Sequence, residues 1–283
     1  MGNVRIVSDS ACDLAPELCA ELGIEIVPLT IRFGDEELID RTELSTEQFW
    51  ARLPKSPTLP ETAAPSVGAF EETFRRLADE GAGAIVCVNL SSRLSATMQS
   101  AEVAAKSLDG EVPVSVVDSK SASMGNGLLA RHAARRARDG ATAETIVAEL
   151  EDMRERLRLY ATVDTLEYLR KGGRIGGAAA LVGSMLSIKP VITVRDGVVE
   201  PAGKVRTRSR ALRFLVDKIK EANVEDLCVL DACAADVGEF LDMVRPIAPS
   251  EDVLTGTIGP VVGVHTGPGV IGAVWVEGRG AAG

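Results

Sequence analysis

Hydroxyl side chains crowd one point of this sequence. In "VNLSSRLSATMQSA", residues 88–101, an apolar run gives way to Ser91, Ser92, Ser95 and Thr97 just where a helical pattern begins. Two other apolar runs end the same way, in "SDSACD" (8–13) and "VDSKSAS" (117–123). The free N–H groups and positive dipole end of a helix attract an anion, and serines add donors there without adding charge. Plain helix capping explains any one of these serines. Four hydroxyls within seven residues fit better with a carboxylate or phosphate held at the same end, by Ser92 or Ser95.

Three further places carry suitable groups. "TLPETAAPSVGAF" contains Thr62 and Ser66; Ser66 reads as a helix cap, whereas Thr62 has no capping duty and is free to face a ligand. "LEYLRKGGRIGG" (166–177) sets Arg174 between glycine pairs, which let the backbone turn and present the guanidinium. "GVHTGPGVIG" puts His265 beside a Gly-Pro-Gly turn, where it can meet an anionic head group. The basic stretch Lys204, Arg206, Arg208, Arg210 and Arg213 reads as a solvated helix face or a docking patch.

The chemistry this excludes is also legible. The glycines of 166–177 do not make a G-x-G-x-x-G fingerprint and no G-x-x-x-x-G-K-[ST] loop occurs, which argues against a nucleotide-binding regulator. G-x-S-x-G is absent too. A serine hydrolase built from a serine, His265 and Asp9 or Asp118 remains an alternative, because triads are defined by geometry. Two histidines and five cysteines without a C-x-x-C give no metal site and no disulfide frame, and the cysteines read as reduced. The formal charge of −10 opposes nucleic acid and anionic membranes as partners. No leader peptide is expected, and no apolar run approaches the about 18 residues of a membrane span, so a cytoplasmic location is expected.

The elements that must position these groups follow from hydrophobic spacing. "NVRIVS", "IEIVPLTIRF", "AIVCVNL" and "PVSVVD" read as strand regions, alternating with helices such as "PSVGAFEETFRRLADEG", whose Val67, Phe70, Phe74 and Leu77 share one face. That alternation predicts a mostly parallel sheet covered on both sides. A helix from about Thr142 to Leu157 joins it to a second half. There, Asp196-Gly197 between apolar stretches marks a hairpin, and "LCVLDAC", "DVLTGTI" and "VIGAVWV" add strands. The expected fold is α/β in two domains: 1–157, a mostly parallel sheet flanked by helices, and 158–283, a mixed α/β domain.

Seven segments taken together carry a resemblance. "SDSACDL", "ETAAPS", "LSSRLSATMQSA", "VDSKSAS", "LEYLRKGGRIG", "SIKPVITV" and "HTGPG" resemble, in order and across nearly the whole chain, the DegV family of bacterial fatty-acid-binding proteins. The resemblance implies that one long-chain fatty acid is buried in the protein and that a separate ATP-dependent fatty acid kinase phosphorylates its carboxyl group. The chain itself is then a binding protein with no catalytic residues, no cofactor and no stable membrane insertion; a carrier or sensor without a kinase is the alternative. It places the carboxylate on Thr62, on Ser92 or Ser95, and on His265, with Arg174 near the head group and the kinase-facing side. Leu186, Ile188, Ile192, Ile258 and Val262 are offered as acyl-chain lining, being aliphatic residues of core type. Two positions depart from the family pattern: Ala63 stands where serine is common, removing a donor, and Ala96 where glycine is common, narrowing close backbone approach.

Overall fold

The computed structural model describes residues 3–250 and 253–279, and for 184–187 the backbone alone. The chain opens with strand β1 (Val4–Asp9), helix α1 (Pro16–Leu22) and strand β2 (Ile24–Val27). Next come β3 (Thr30–Phe33), β4 (Glu36–Ile39), α2 (Thr46–Arg52) and β5 (Glu61–Ala63). Alternation then takes over: α3 (Val67–Asp79), β6 (Ala84–Asn89), α4 (Thr97–Ser107), β7 (Val114–Asp118), α5 (Met124–Arg138) and α6 (Ala143–Arg156).

Strands β2-β1-β6-β7 form an all-parallel sheet. Successive residues of its strands feed opposite cores, as the two-residue strand period requires. Val7, Ile85 and Cys87 pack with Phe70, Phe74 and Leu77 of α3 and Ala101 and Ala104 of α4. Ile6, Val86 and Val88 belong to the core on the other side, with Leu128 and Leu129 of α5 and Ile146 and Leu150 of α6.

The single strand region read in "IEIVPLTIRF" is two strands in different sheets. Pro28 has no N–H to give a ladder, and the Leu29 N–H turns aside to Ser10 Oγ at 3.0 Å. Beyond that break β3 pairs antiparallel with β4 and β5, with Thr62 set opposite Ile31.

The rest of the chain is β8 (Leu157–Thr162), α7 (Glu167–Lys171), a 3-10 segment at Gly176–Ser187, β9 (Lys189–Arg195), β10 (Val198–Val205) and α8 (Arg208–Glu221). It ends with β11 (Val224–Asp231), α9 (Val237–Val244), β12 (Leu254–Thr257), α10 (Pro260–Thr266) and β13 (Ile271–Glu277). Its strands make a mixed sheet in the order β10-β9-β8-β13-β11-β12, parallel only between β11 and β12. One face is covered by α8 and α9 through Leu212, Leu215 and Phe240 against Val229, Ile271 and Trp275. The other face joins Leu159, Ile192, Leu230 and Val274 to the same core as Leu14, Leu29, Leu128 and Met153 of the first half.

The predicted hairpin is present, with Asp196 and Gly197 both at positive φ (46° and 80°) as a tight two-residue turn demands. Its tip is pinned to the loop after β6. Ser91 Oγ donates to Gly197 O at 2.8 Å, and Arg93 Nη1 to Asp196 O at 3.1 Å. Among the described residues no helix is long and apolar enough to cross a membrane, and all five cysteines are free thiols.

Candidate functional site

The inward face of the mixed sheet meets the strand-end loops of the parallel sheet across a partly open apolar pocket with about 840 Å³ of empty space, the solvent at its mouth included. Alternate strand residues form the floor: Leu159 and Ala161 of β8, Ile192 and Val194 of β9, Val199 of β10 and Leu230 of β11. Leu29, the loop residues Leu90 and Leu94, Ala122, and Val261 and Val262 of α10 close the other side.

One group of polar side chains enters this apolar space from three separate elements. Thr62 is held by the β3–β5 ladder and His265 by the last turn of α10; Thr62 Oγ1 and His265 Nε2 lie 3.0 Å apart. Burial, helped by the nearby Arg174 charge, pushes His265 down to about 4, so the ring is neutral at pH 7. Its Nδ1 is buried and has no partner. A proton there would be an orphaned donor, which folded proteins avoid more strictly than an orphaned acceptor. The ring proton is therefore assigned to Nε2, donating to Thr62 Oγ1. Thr62 is left with its own hydroxyl proton to donate into the cavity.

Arg174 lines the same space. Its Nε donates to Leu94 O at 3.1 Å and its Nη1 to Gly172 O at 2.8 Å, so the guanidinium also fixes the loop that carries Ser95. Gly172 packs against the His265 ring so closely that a Cβ would collide with Nδ1. The glycines of "RKGGR" thus serve close approach as well as turning, with Gly173 at φ 70°.

Ser95 faces the cavity, its Oγ 2.9 Å from Thr97 Oγ1 and accepting from the Thr97 N–H at 3.3 Å. It precedes α4 by one residue more than a capping serine would. Ala96 occupies the N-cap position and offers no capping side chain, so Ser95 Oγ takes the first N–H of the helix in its place. Ala96 has φ −77°, an ordinary value, so the glycine common in the family is not required here for backbone freedom. Ala63, on the exposed side of β5, is absent from the cavity wall, so this departure removes no donor from it.

Ser92 does not join the group. Its exposed hydroxyl donates to Asp118 Oδ2 at 2.6 Å, tying the loop after β6 to the end of β7. Of the expected lining residues, Ile192, Ile258 and Val262 are on the wall. Ile188 instead packs partly buried against the main core. The side chain of Leu186 lies outside the described residues.

Sequence reasoning missed most of the floor. The signal was there: Val194 follows Ile192, and Ala161 follows Leu159, at strand period two. It also missed two hydroxyls on the wall, Thr266 and Ser123. Ser123 Oγ donates to Asp13 Oδ2 at 2.5 Å, and burial pushes Asp13 up to about 8.

The hydrolase arrangement is not assembled among the described residues. His265 engages Thr62 and has no carboxylate on Nδ1. Asp9 is engaged by the N–H groups of Ala11 and Leu90 and by Asn89. Asp118 is engaged by Ser92 and the Lys120 N–H. The geometry provides hydroxyl donors and one cation at the edge of an apolar slot, which suits a long apolar molecule with one acidic end.

Known proteins share this architecture. A family model described as "Uncharacterised protein, DegV family" matches residues 3–278. A DegV domain-containing protein of Streptomyces coelicolor is 40% identical over 278 residues, covering 96% of this chain and 98% of the relative. A solved structure described as fatty acid binding of a DegV family protein from Thermus thermophilus superposes with a TM-score of 0.90 at 32% identity, covering 98% of this chain and 100% of that one. A stearic acid-binding protein from Eubacterium ventriosum gives 0.85 at 30% identity, covering 97% and 98%.

Proposed function

The chain belongs to the DegV family, and on that premise we propose that it binds one long-chain fatty acid in the cavity and presents the carboxylate to a separate ATP-dependent kinase. The observation that carries the reading is the convergence of Thr62, Ser95, His265 and Arg174 on a space otherwise walled by aliphatic side chains. Burying a carboxylate without partners costs several kcal/mol or more. Here the Thr62 proton and the Ser95 hydroxyl donate to it, the start of α4 adds its dipole, and Arg174 supplies the counter-charge. The tail contributes about 0.8 kcal/mol per buried CH₂, less the cost of immobilising it.

In this reading 1–157 and 158–283 act as two domains with the ligand between them. The kinase step joins a carboxylate oxygen to the γ-phosphorus of ATP and releases ADP, leaving an acyl phosphate, and Arg174 sits where the added negative charge appears. Exposed Lys204, Arg206, Arg210 and Arg213 form a docking patch, whereas Arg208 is engaged with Asp236. ATP as co-substrate fits a cytoplasmic location.

Native mass spectrometry of the purified protein, followed by extraction of bound lipid, tests the binding. One fatty acid per chain is expected; a protein that comes empty and takes up no added fatty acid overturns the reading. Incubating the loaded protein with a fatty acid kinase and ATP tests the presentation step, with acyl phosphate as the readout.

A further inference from the structure

Away from the cavity, two thiols meet on one guanidinium. Cys12 ends the short 3-10 turn after β1, and Cys19 is buried on α1. Arg41 Nη2 lies 3.7 Å from Cys12 Sγ, and its Nη1 lies 4.0 Å from Cys19 Sγ. The same two nitrogens donate to Ser10 O and Leu14 O, each at 3.0 Å, so the guanidinium is fixed between the sulfurs. Arg41 takes up this position with a backbone φ of 67°, a conformation that is uncommon for a residue with a side chain.

The two thiols are unequal. The neighbouring Cys12 thiol and the Arg41 charge bring the Cys19 thiol down to about 7 despite burial. Cys12, beside Cys19 and fully buried, is pushed well up. One sulfur thus gives up its proton more readily than an ordinary thiol while the other, on the same guanidinium, holds its own, the inequality found in redox-active cysteine pairs. The other three lack it: burial pushes up Cys87, Cys228 and Cys233, and none has a cation hydrogen-bonded to it.

We propose that Cys12 and Cys19 form a peroxide-sensitive dithiol that closes to an intramolecular disulfide. The Cys19 thiolate attacks one oxygen of hydrogen peroxide; an S–O bond forms, the O–O bond breaks, and hydroxide leaves to become water with a solvent proton. Cys12 then gives up its proton and attacks the Cys19 sulfenic sulfur; the S–S bond forms, the S–O bond breaks, and a second water leaves. Two thiols and one peroxide give one disulfide and two waters. Asp13, Asp40 and Glu17 are the acidic groups around the pair. A polar groove lined by Asp13, Leu14, Glu17 and Arg41 runs beside it. With Cys12 and Cys19 at 0% and 5% exposure, the route suits a small oxidant and shields the sulfurs from bulky reagents.

The test treats the intact folded protein with hydrogen peroxide, quenches, denatures and alkylates, then maps thiols by mass spectrometry. The expected product joins the Cys12 and Cys19 peptides, lighter by two hydrogens than their sum, and reverts with dithiothreitol. Cys12→Ser removes the resolving thiol, so a sulfenic acid on Cys19 accumulates and is trapped by dimedone. Recovery of Cys12 and Cys19 as free thiols under peroxide that has already oxidised the exposed Cys233 overturns the proposal. So does over-oxidation of Cys19 in the unsubstituted protein with Cys12 untouched.

Discussion

Thr62 and His265 stand 203 positions apart in the chain and 3.0 Å apart in space. The pair joins the small antiparallel sheet of the first half to α10 of the second. Because the neutral ring donates through Nε2, the threonine hydroxyl is oriented as a donor toward the cavity. Thr62→Val keeps the shape and removes that donor. Hydrogen bonds to charged groups contribute about 1.5–3 kcal/mol, so fatty-acid affinity measured by calorimetry is expected to fall roughly 10–100-fold. An unchanged affinity would remove Thr62 from the site.

Ser92 and Ser95, in the loop after β6, separate cleanly. Ser95 lines the cavity and Ser92 engages Asp118. Ser95→Ala is expected to weaken fatty-acid binding by about tenfold, the value of a hydrogen bond of about 1.4 kcal/mol. Ser92→Ala is expected to leave it unchanged. The same titration on both variants decides the assignment, and the reverse order of effects would contradict it.

The pH dependence of stability follows from the buried imidazole. His265 has a folded pKa of about 4, below the ordinary 6.5. As pH falls from about 6.5 to 4 the unfolded chain binds the proton first, so stability drops across that window and levels off below it. Burial has raised Asp9 and Asp40 to about 6 and Asp13 to about 8, and these act in the opposite sense. Urea midpoints of the unsubstituted protein minus those of His265→Gln isolate the histidine, and this difference should shrink as the solution is acidified from pH 6.5 to 4. A difference constant with pH would show that the ring is not held neutral by the fold.

Ala161 is a small residue on the cavity floor. Ala161→Leu fills part of the slot, at a packing cost of about 1–3 kcal/mol where space is short. The bound population, extracted and identified, is expected to shift toward shorter acyl chains. Retention of the same chain lengths at the same occupancy would place the tail elsewhere.

The exposed arginines of α8 test the kinase reading independently of lipid binding. Arg210→Glu combined with Arg213→Glu is expected to leave fatty-acid affinity within twofold, as exposed charges away from the wall contribute little to it. Acyl phosphate formation by the kinase is expected to slow at least tenfold. Equal rates would move the docking surface to another face.

Much of the secondary structure was legible because its causes are local. The helical face of Phe70, Phe74 and Leu77, the Ser66 cap and the Asp196-Gly197 turn each depend on residues within a few positions of one another. The motif "RKGGR" likewise marked an arginine that lines the cavity. The split at Pro28 was written in the sequence too, but only the competing hydrogen bond from Leu29 to Ser10 shows that the two strands belong to different sheets.

What the sequence by itself determined, then, is the set of elements, the α/β class and the identity of the polar groups available for an acidic ligand. Only the tertiary structure decided which of them converge. Ser92 and Ser95 have the same chemistry three residues apart, and the turn after β6 sends one to Asp118 and the other into the cavity. Ile188 and Ile192 are equally aliphatic, yet Ile188 stands just before β9 and packs partly buried against the core, whereas Ile192, inside the strand, reaches the cavity floor. Side-chain direction, and contacts between residues far apart in sequence, arise from how sheets and helices pack, and spacing along the chain carries no record of that.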